Sequence, residues 1–366
     1  MNEKLKRLKN WAEGNKSKPY RLEIHPTNRC NLKCRMCGTR ASWREEEKSM
    51  DQIIKENRSR EMDDSRLLQL IQEASKIDVK RVLLTGGGEP FVRKDLVLQM
   101  MRDIKKNDIF GNINTNGALL GEEDISGIID IGWDLIMFSL DAPRAETHDY
   151  IRNKEGTFNK AAKNILRFKE LKEKEGTDKP EVVLNTVLTE RNYRQMPELV
   201  EFAKEAECND LTLIPLIDSD KYPELKIKDN KKVSKHLKKA QEIANERNLH
   251  TNIEDVLSKY EKEKEENKGQ ENRDNKHESN FSEIPCFEPF LNMVVRMDGT
   301  TNPCCMIESG GENLKEKNLK EIWNSEYFKH LREKFRQEGY PEVCSECILS
   351  KETRNQDFRR ELKEIL

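Results

Sequence analysis

Apolar residues along this chain fall into two alternating kinds of run. Short runs rich in Val, Ile, Leu and Thr, at 21–25, 80–85, 110–115, 134–140, 181–188 and 210–216, read as six β-strands. Between them, apolar positions recur three and four residues apart. Leu67, Leu68, Leu70 and Ile71 do so in 64–75, and Ala161, Ile165 and Phe168 in 157–173, the spacing of helices with one buried face. Strands separated by helices form parallel sheets, because a parallel pair needs a crossover connection. The pattern therefore predicts an α/β fold of repeated strand-helix units. After 216 it weakens, and 259–280 is dominated by Lys, Glu, Asn and Asp, which predicts a solvated helix end and a linker. A second region, 284–348, opens with a hairpin: an apolar run at 291–297, an Asp298-Gly299 turn and a return through Thr300. No repeat of fixed period is present.

Charge and composition narrow the function classes. Hydrophobic residues make up 35% and charged residues 37% of 366, polar for a globular chain yet long enough to bury a core. With 66 basic residues against 68 acidic ones, no overall field draws the chain to nucleic acid or to an anionic membrane, and neither is an expected partner. The first twenty residues are Lys-rich without an apolar segment, and no apolar run reaches membrane-spanning length. The expected location is the cytoplasm, where thiols stay reduced and clustered cysteines usually mean metal.

Nine cysteines form two groups and two singletons. Cys30, Cys34 and Cys37 follow the first predicted strand, at the strand end that hosts chemistry in parallel sheets. Three thiolates are an incomplete set for an iron-sulfur cluster and leave one iron for a non-protein ligand. A structural zinc site is the alternative, but no fourth ligand lies nearby. The second group is Cys286, Cys304, Cys344 and Cys347, with Gly299 before the second cysteine. Four thiolates can close an iron-sulfur cluster, with tetrahedral zinc as the alternative. Cys305 could replace Cys304 as a ligand, and Cys208 reads as inert packing.

Polar residues recur at the ends of successive strands. Thr85-Gly86-Gly87-Gly88-Glu89-Pro90 follows the second, Asn116-Gly117 the third and Ser139-Leu140-Asp141 the fourth. Each also reads as a turn or cap. Arg152 suits a planar carboxylate, with a surface arginine as the alternative. His25 sits beside the cysteine loop and either contacts the site or ends a strand.

The Cys-x3-Cys-x2-Cys loop, the Gly-Gly-Glu-Pro element and their placement resemble the radical S-adenosylmethionine (SAM) superfamily over roughly the first 220 residues. The second cysteine group resembles the auxiliary-cluster domain called Twitch, a shortened SPASM. The resemblance implies a partial (β/α)6 TIM-like barrel with a small C-terminal auxiliary iron-sulfur cluster domain. Its parts would be an N-terminal extension at 1–20, a radical SAM core at 21–220, a charged helical insertion and linker at 221–282, and the auxiliary domain with a C-terminal helix at 283–366. It implies a 4Fe-4S cluster on Cys30, Cys34 and Cys37, SAM, and a second, auxiliary 4Fe-4S cluster on Cys286, Cys304, Cys344 and Cys347. SAM contacts are expected from Met36, Gly86, Gly87, Gly88, Glu89, Asn116, Ser139, Asp141 and Arg152. Glu89 would hold the methionine amino group, Arg152 its carboxylate, and Met36 would replace the usual aromatic shelf under adenine, beside the apolar strand 213–216. Reductive cleavage of SAM to a 5′-deoxyadenosyl radical would then oxidise a small molecule, in the manner of radical SAM alcohol dehydrogenases. A peptide or protein maturase is the alternative enzyme, and a zinc scaffold the alternative without catalysis. The expected partners are a small-molecule or peptide substrate and an electron donor such as flavodoxin or ferredoxin.

Overall fold

In the computed structural model the described residues are 2–37, 58–216, 222–261, 284, 286–307, 310–337, 344 and 358–364. Cys347, the residues 38–57 and most of the charged stretch 259–280 lie outside them. Helix α1 (Glu3–Ala12) precedes β1 (Arg21–Ile24), and strand-helix units follow: α2 (Asp64–Lys76), β2 (Arg81–Leu84), α3 (Lys94–Lys106), β3 (Phe110–Thr115), α4 (Glu122–Asp130) and β4 (Leu135–Ser139). Then come α5 (Ala145–Arg152), α6 (Thr157–Glu175), β5 (Glu181–Leu188), α7 (Met196–Glu205) and β6 (Asp210–Pro215). All six expected strands are present, each within two residues of its predicted bounds.

Beyond β6 the sheet continues. Helix α8 (Asn230–Glu246) leads to β7 (His250–Thr251) and α9 (Ile253–Glu261). The C-terminal region supplies α10 (Glu288–Leu291), β8 (Asn292–Val295), β9 (Thr301–Asn302), α11 (Leu319–Trp323) and α12 (Glu326–Gln337). These strands make one nine-stranded sheet in the order β7-β6-β5-β4-β3-β2-β1-β8-β9. The hairpin forms as the Asp298-Gly299 turn predicts, with Val295 opposite Thr301. Its first strand, however, runs parallel to β1 and is paired with it from Arg21↔Asn292 to Ile24↔Val295, so the barrel strand β1 and the C-terminal region share a backbone ladder.

Alternation along the strands divides the sheet into two faces. Leu22, Ile24, Val82, Leu84, Ile113, Ile136, Phe138 and Leu184 face the helices and are fully buried. They meet Leu67, Leu70, Ile71 and Ala74 of α2 and Ala161, Ile165 and Phe168 of α6 in one continuous core. Each such side chain contributes roughly 1.5–3 kcal/mol when removed from water. The opposite, inner face is mixed, with asparagines set among apolar side chains. Register sets Asn112 beside Leu83, Asn114 beside Met137, and Asn185 between Ser139 and Thr212.

A second apolar cluster joins α1 to the C-terminal region: Leu5 and Leu8 pack with Phe287, Phe290, Phe335, Phe358 and Leu362. Arg332 ties it together, donating to the Pro289 and Trp323 carbonyls at 2.9 and 3.0 Å and stacking on Trp323. Among the described residues no helix is long and apolar enough to cross a membrane.

Candidate functional site

The cysteine loop leaves the carboxyl end of β1 and is packed against the glycine run that leaves β2. A Cβ on Gly86 would lie 2.4 Å from the His25 ring, and one on Gly88 would lie 2.2 Å from the Arg29 carbonyl oxygen. The Glu89 N–H also donates to that carbonyl at 2.9 Å. Glycine is thus required here because the chain approaches its own cysteine loop, an interaction that sequence alone does not separate from approach to a ligand. Gly87 sits equally close to the Asn28 side chain.

Glu89 joins this pair of strand ends to a third. Its carboxylate accepts from the Thr115 hydroxyl at 2.8 Å, the Asn116 N–H at 2.7 Å and the Phe91 N–H at 3.2 Å. Burial pushes the Glu89 carboxyl up to about 7 despite those donors. The folded value exceeds the ordinary one near 4.5. The stability that this group contributes is therefore complete below pH about 4.5 and lost as pH rises through about 7, on the order of 3 kcal/mol at most. Denaturant midpoints of the metal-free chain at pH 5 and pH 8 should show that loss, and Glu89→Gln should flatten it. An unchanged slope in the variant would remove Glu89 as its origin.

Asn116 reaches the cysteine loop directly. Its Nδ2 donates to Asn31 Oδ1 at 2.8 Å and points at Cys30 Sγ at 4.0 Å, and the Leu32 N–H donates to the same sulfur at 3.4 Å. Cys34 is buried, whereas Cys30 and Cys37 are half-buried. Burial pushes the Cys34 thiol up, and the Arg152 guanidinium opposes it. Arg152 Nη1 donates to Cys34 Sγ at 3.8 Å, while its Nε lies 2.6 Å from Asp141 Oδ2. Two residues expected to meet SAM thus also lie against each other and beside a cysteine. Burial alone would lower the Arg152 guanidinium, but Asp141 and Cys34 more than offset it and hold the group above its ordinary value. Ser139 lies on the inner face beside Asn185.

Met36 packs against a small apolar cluster of Ile151, Tyr222 and Leu225, which Tyr150 and Leu216 also border. Residues that sequence reading passed over complete this side. Tyr150 lies between two guanidinium groups, Arg35 at 4.4 Å and Arg191 at 4.5 Å from its ring centre, and the Arg35 Nε donates to the Tyr150 carbonyl at 2.9 Å. No sequence signal marks such a stack. His25 faces inward, with Nε2 at 3.0 Å from Glu23 Oε1, and Glu23 is 3.7 Å from Arg21.

At the second group, Cys286, Cys304 and Cys344 all pack against the α1/C-terminal cluster, and the Glu288 N–H donates to Cys286 Sγ at 3.4 Å. Cys347, their expected fourth partner, is outside the described residues. Cys208 is buried, and burial pushes its thiol up to about 12, consistent with inert packing. Among the described residues no three His, Cys, Asp or Glu side chains are already closed into a metal-ligand set. The fit to an iron-sulfur cluster rests instead on donor chemistry: soft sulfur ligands, with backbone N–H groups directed at Cys30 and Cys286.

A parallel α/β barrel left open, with a thiol loop at the end of its first strand and further thiols where its sheet is extended, defines an iron-sulfur protein built around a ligand at the strand ends. Family comparison carries this further. The radical SAM superfamily model matches residues 24–203 and the SPASM iron-sulfur cluster-binding model matches 286–348, together more than half of the chain. The chain belongs to the radical SAM superfamily and carries a SPASM-type domain, and this membership implies a 4Fe-4S cluster, SAM and auxiliary iron-sulfur binding. It is 31% identical over 183 residues to a tungsten-containing aldehyde ferredoxin oxidoreductase cofactor-modifying protein of Pyrococcus furiosus, covering 50% of this chain and 47% of that one. The chain thus spans about half the length of that relative. An AdoMet-dependent heme synthase of Methanosarcina barkeri is 25% identical over 287 residues, 76% of this chain and 79% of that one. Among solved structures, Streptococcus suis SuiB superposes with a TM-score of 0.65 at 18% identity, covering 95% of this chain and 75% of SuiB. That likeness establishes the partial barrel expected from the sequence.

Proposed function

We propose that this enzyme cleaves SAM reductively and uses the resulting radical to oxidise a small polar substrate, such as a secondary alcohol, held against the inner face of the sheet. In this reading Cys30, Cys34 and Cys37 hold the SAM-binding cluster, and Cys286, Cys304, Cys344 and Cys347 hold a single auxiliary one. When bound, these groups supply the electron that splits SAM, the radical that takes a hydrogen atom, and a sink for the electron that oxidation releases.

The observation that carries the substrate class is a set of asparagines on the inner face. Asn112, Asn114 and Asn185 each have a buried carboxamide oxygen without a hydrogen-bond partner, and whichever way the amides are turned, one polar end stays unmatched. Such groups favour a ligand rich in hydroxyl or amide groups over an apolar macrocycle. The buried His25–Glu23 pair on the same face is the acceptor for the hydroxyl proton that leaves as an alcohol becomes a ketone. Met36 and Leu216 offer the adenine its apolar shelf, and Asn116 with the glycine run fixes the adjoining strand ends.

Anaerobic reconstitution followed by reductant and SAM tests the reading. About eight irons per chain and 5′-deoxyadenosine are expected, with deuterium transferred into it from a labelled amino sugar or cyclitol among a panel of polar alcohols. Transfer only from peptides would move the reading to a maturase. Two bound zincs without SAM cleavage would overturn it. Alanine at both Cys286 and Cys344 should leave SAM cleavage uncoupled from product.

A further inference from the structure

Arg152 ends α5 as one of the deeply buried cations of the chain, 8% exposed. Its Nε is ion-paired with Asp141, a completely buried carboxylate, at 2.6 Å, and its Nη1 donates to Cys34 Sγ at 3.8 Å. Asp141 cannot swing away. Its Oδ1 accepts the Val187 N–H at 2.9 Å, its own N–H donates to His148 Nδ1 at 3.1 Å, and its carbonyl accepts from Asn192 at 2.7 Å. The cysteine loop is fastened to the same helix end, since the Arg35 N–H donates to the Ile151 carbonyl at 2.9 Å. The three thiols are therefore not equivalent. Cys30 receives the Leu32 N–H and the Asn116 amide, whereas Cys34 faces the Arg152 guanidinium.

We propose that Arg152, aimed by Asp141, is a positioning residue that raises the reduction potential of the cluster held by Cys30, Cys34 and Cys37. The proposal rests on the cluster assignment made above. Reduction adds one negative charge to the cluster, and a cationic N–H donor at one of its sulfurs stabilises the reduced form more than the oxidised form. Away from water that preference is stronger than it would be at a surface. The competing explanation is that Arg152 only neutralises Asp141, which would otherwise be a buried, unpaired charge.

The two explanations part in an EPR-monitored redox titration of the reconstituted enzyme, following the signal that SAM addition perturbs, with iron and sulfide measured on each sample. The variants are Arg152→Gln, Arg152→Lys, and Arg152→Gln combined with Asp141→Asn, which keeps the buried charges balanced. At the potential where the wild type is half reduced, Arg152→Gln and the double variant are expected to show about a tenfold lower ratio of reduced to oxidised cluster, equivalent to 59 mV for one electron. Arg152→Lys, which supplies a cation but not the two-pronged fork, should fall between the wild type and Arg152→Gln. A wild-type midpoint in the double variant with full iron would overturn the proposal and leave Arg152 as a charge balance. If the wild type itself took up no iron at the triad, the cluster assignment would fail and the proposal with it, an outcome distinct from an unmoved midpoint.

Discussion

Alanine at any one of Cys30, Cys34 or Cys37 is expected to abolish 5′-deoxyadenosine formation outright and to lower bound iron from about eight to about four per chain. The three thiols occupy one segment after β1, residues 30–37, and its Asn31 is committed to Asn116 and Lys154. The second group packs against α1 and the C-terminal helices, in a different apolar cluster from the main core, so its iron should persist when the first site is lost. Iron analysis and chromatography of the nucleoside products check both halves. SAM cleavage that survives in any of the three variants would remove the triad from its assigned role.

Alanine at Gly88 is expected to cost at least about a hundredfold in SAM cleavage while the chain still folds. The added methyl would lie 2.2 Å from the Arg29 carbonyl oxygen, a backbone atom that cannot rotate aside, so the loop one residue before Cys30 must move. Displacement of a reacting group by about 1 Å commonly costs about 10²-fold. Gly132, whose Cβ would meet nothing within 4 Å but whose φ of +67° strains any replacement, provides the contrast: Gly132→Ala should lower stability and leave the rate per folded molecule unchanged. Rates normalised to bound iron separate the two. Equal behaviour of both variants would show that contact with the cysteine loop is not what Gly88 is for.

Strands β1 to β6 were legible because their residues are consistent at every level, with β-branched runs, helix-period connections and polar strand ends agreeing. Strand β7 was not, since two residues, His250 and Thr251, carry no periodicity of their own and pair only because α8 delivers them to β6. The hairpin was readable from Asp298-Gly299, but its docking beside β1 was not, because parallel pairing between distant segments leaves no local mark. Among the site residues, the three cysteines and the glycine run declared themselves by spacing and composition. Which partner each side chain takes did not. That Asp141 and Arg152, each expected at SAM, also form one ion pair beside a cysteine leaves no mark in the sequence. The glycine run reads as a ligand cradle, yet its tightest neighbours are His25, Asn28 and Arg29.

The parallel pairing of β8 with β1 bears on how the protein matures. Besides the strand ladder, the Tyr20 N–H donates to the Leu291 carbonyl and the His25 N–H to that of Val295, so the root of the cysteine loop is braced on one side by residues far downstream in the sequence. Contacts between such distant segments form late. Until they do, one edge of β1 is open to other chains, beside thiols that oxygen and stray metals can reach. Docking of the C-terminal hairpin beside β1 therefore both closes that edge and completes the root of the first cysteine loop.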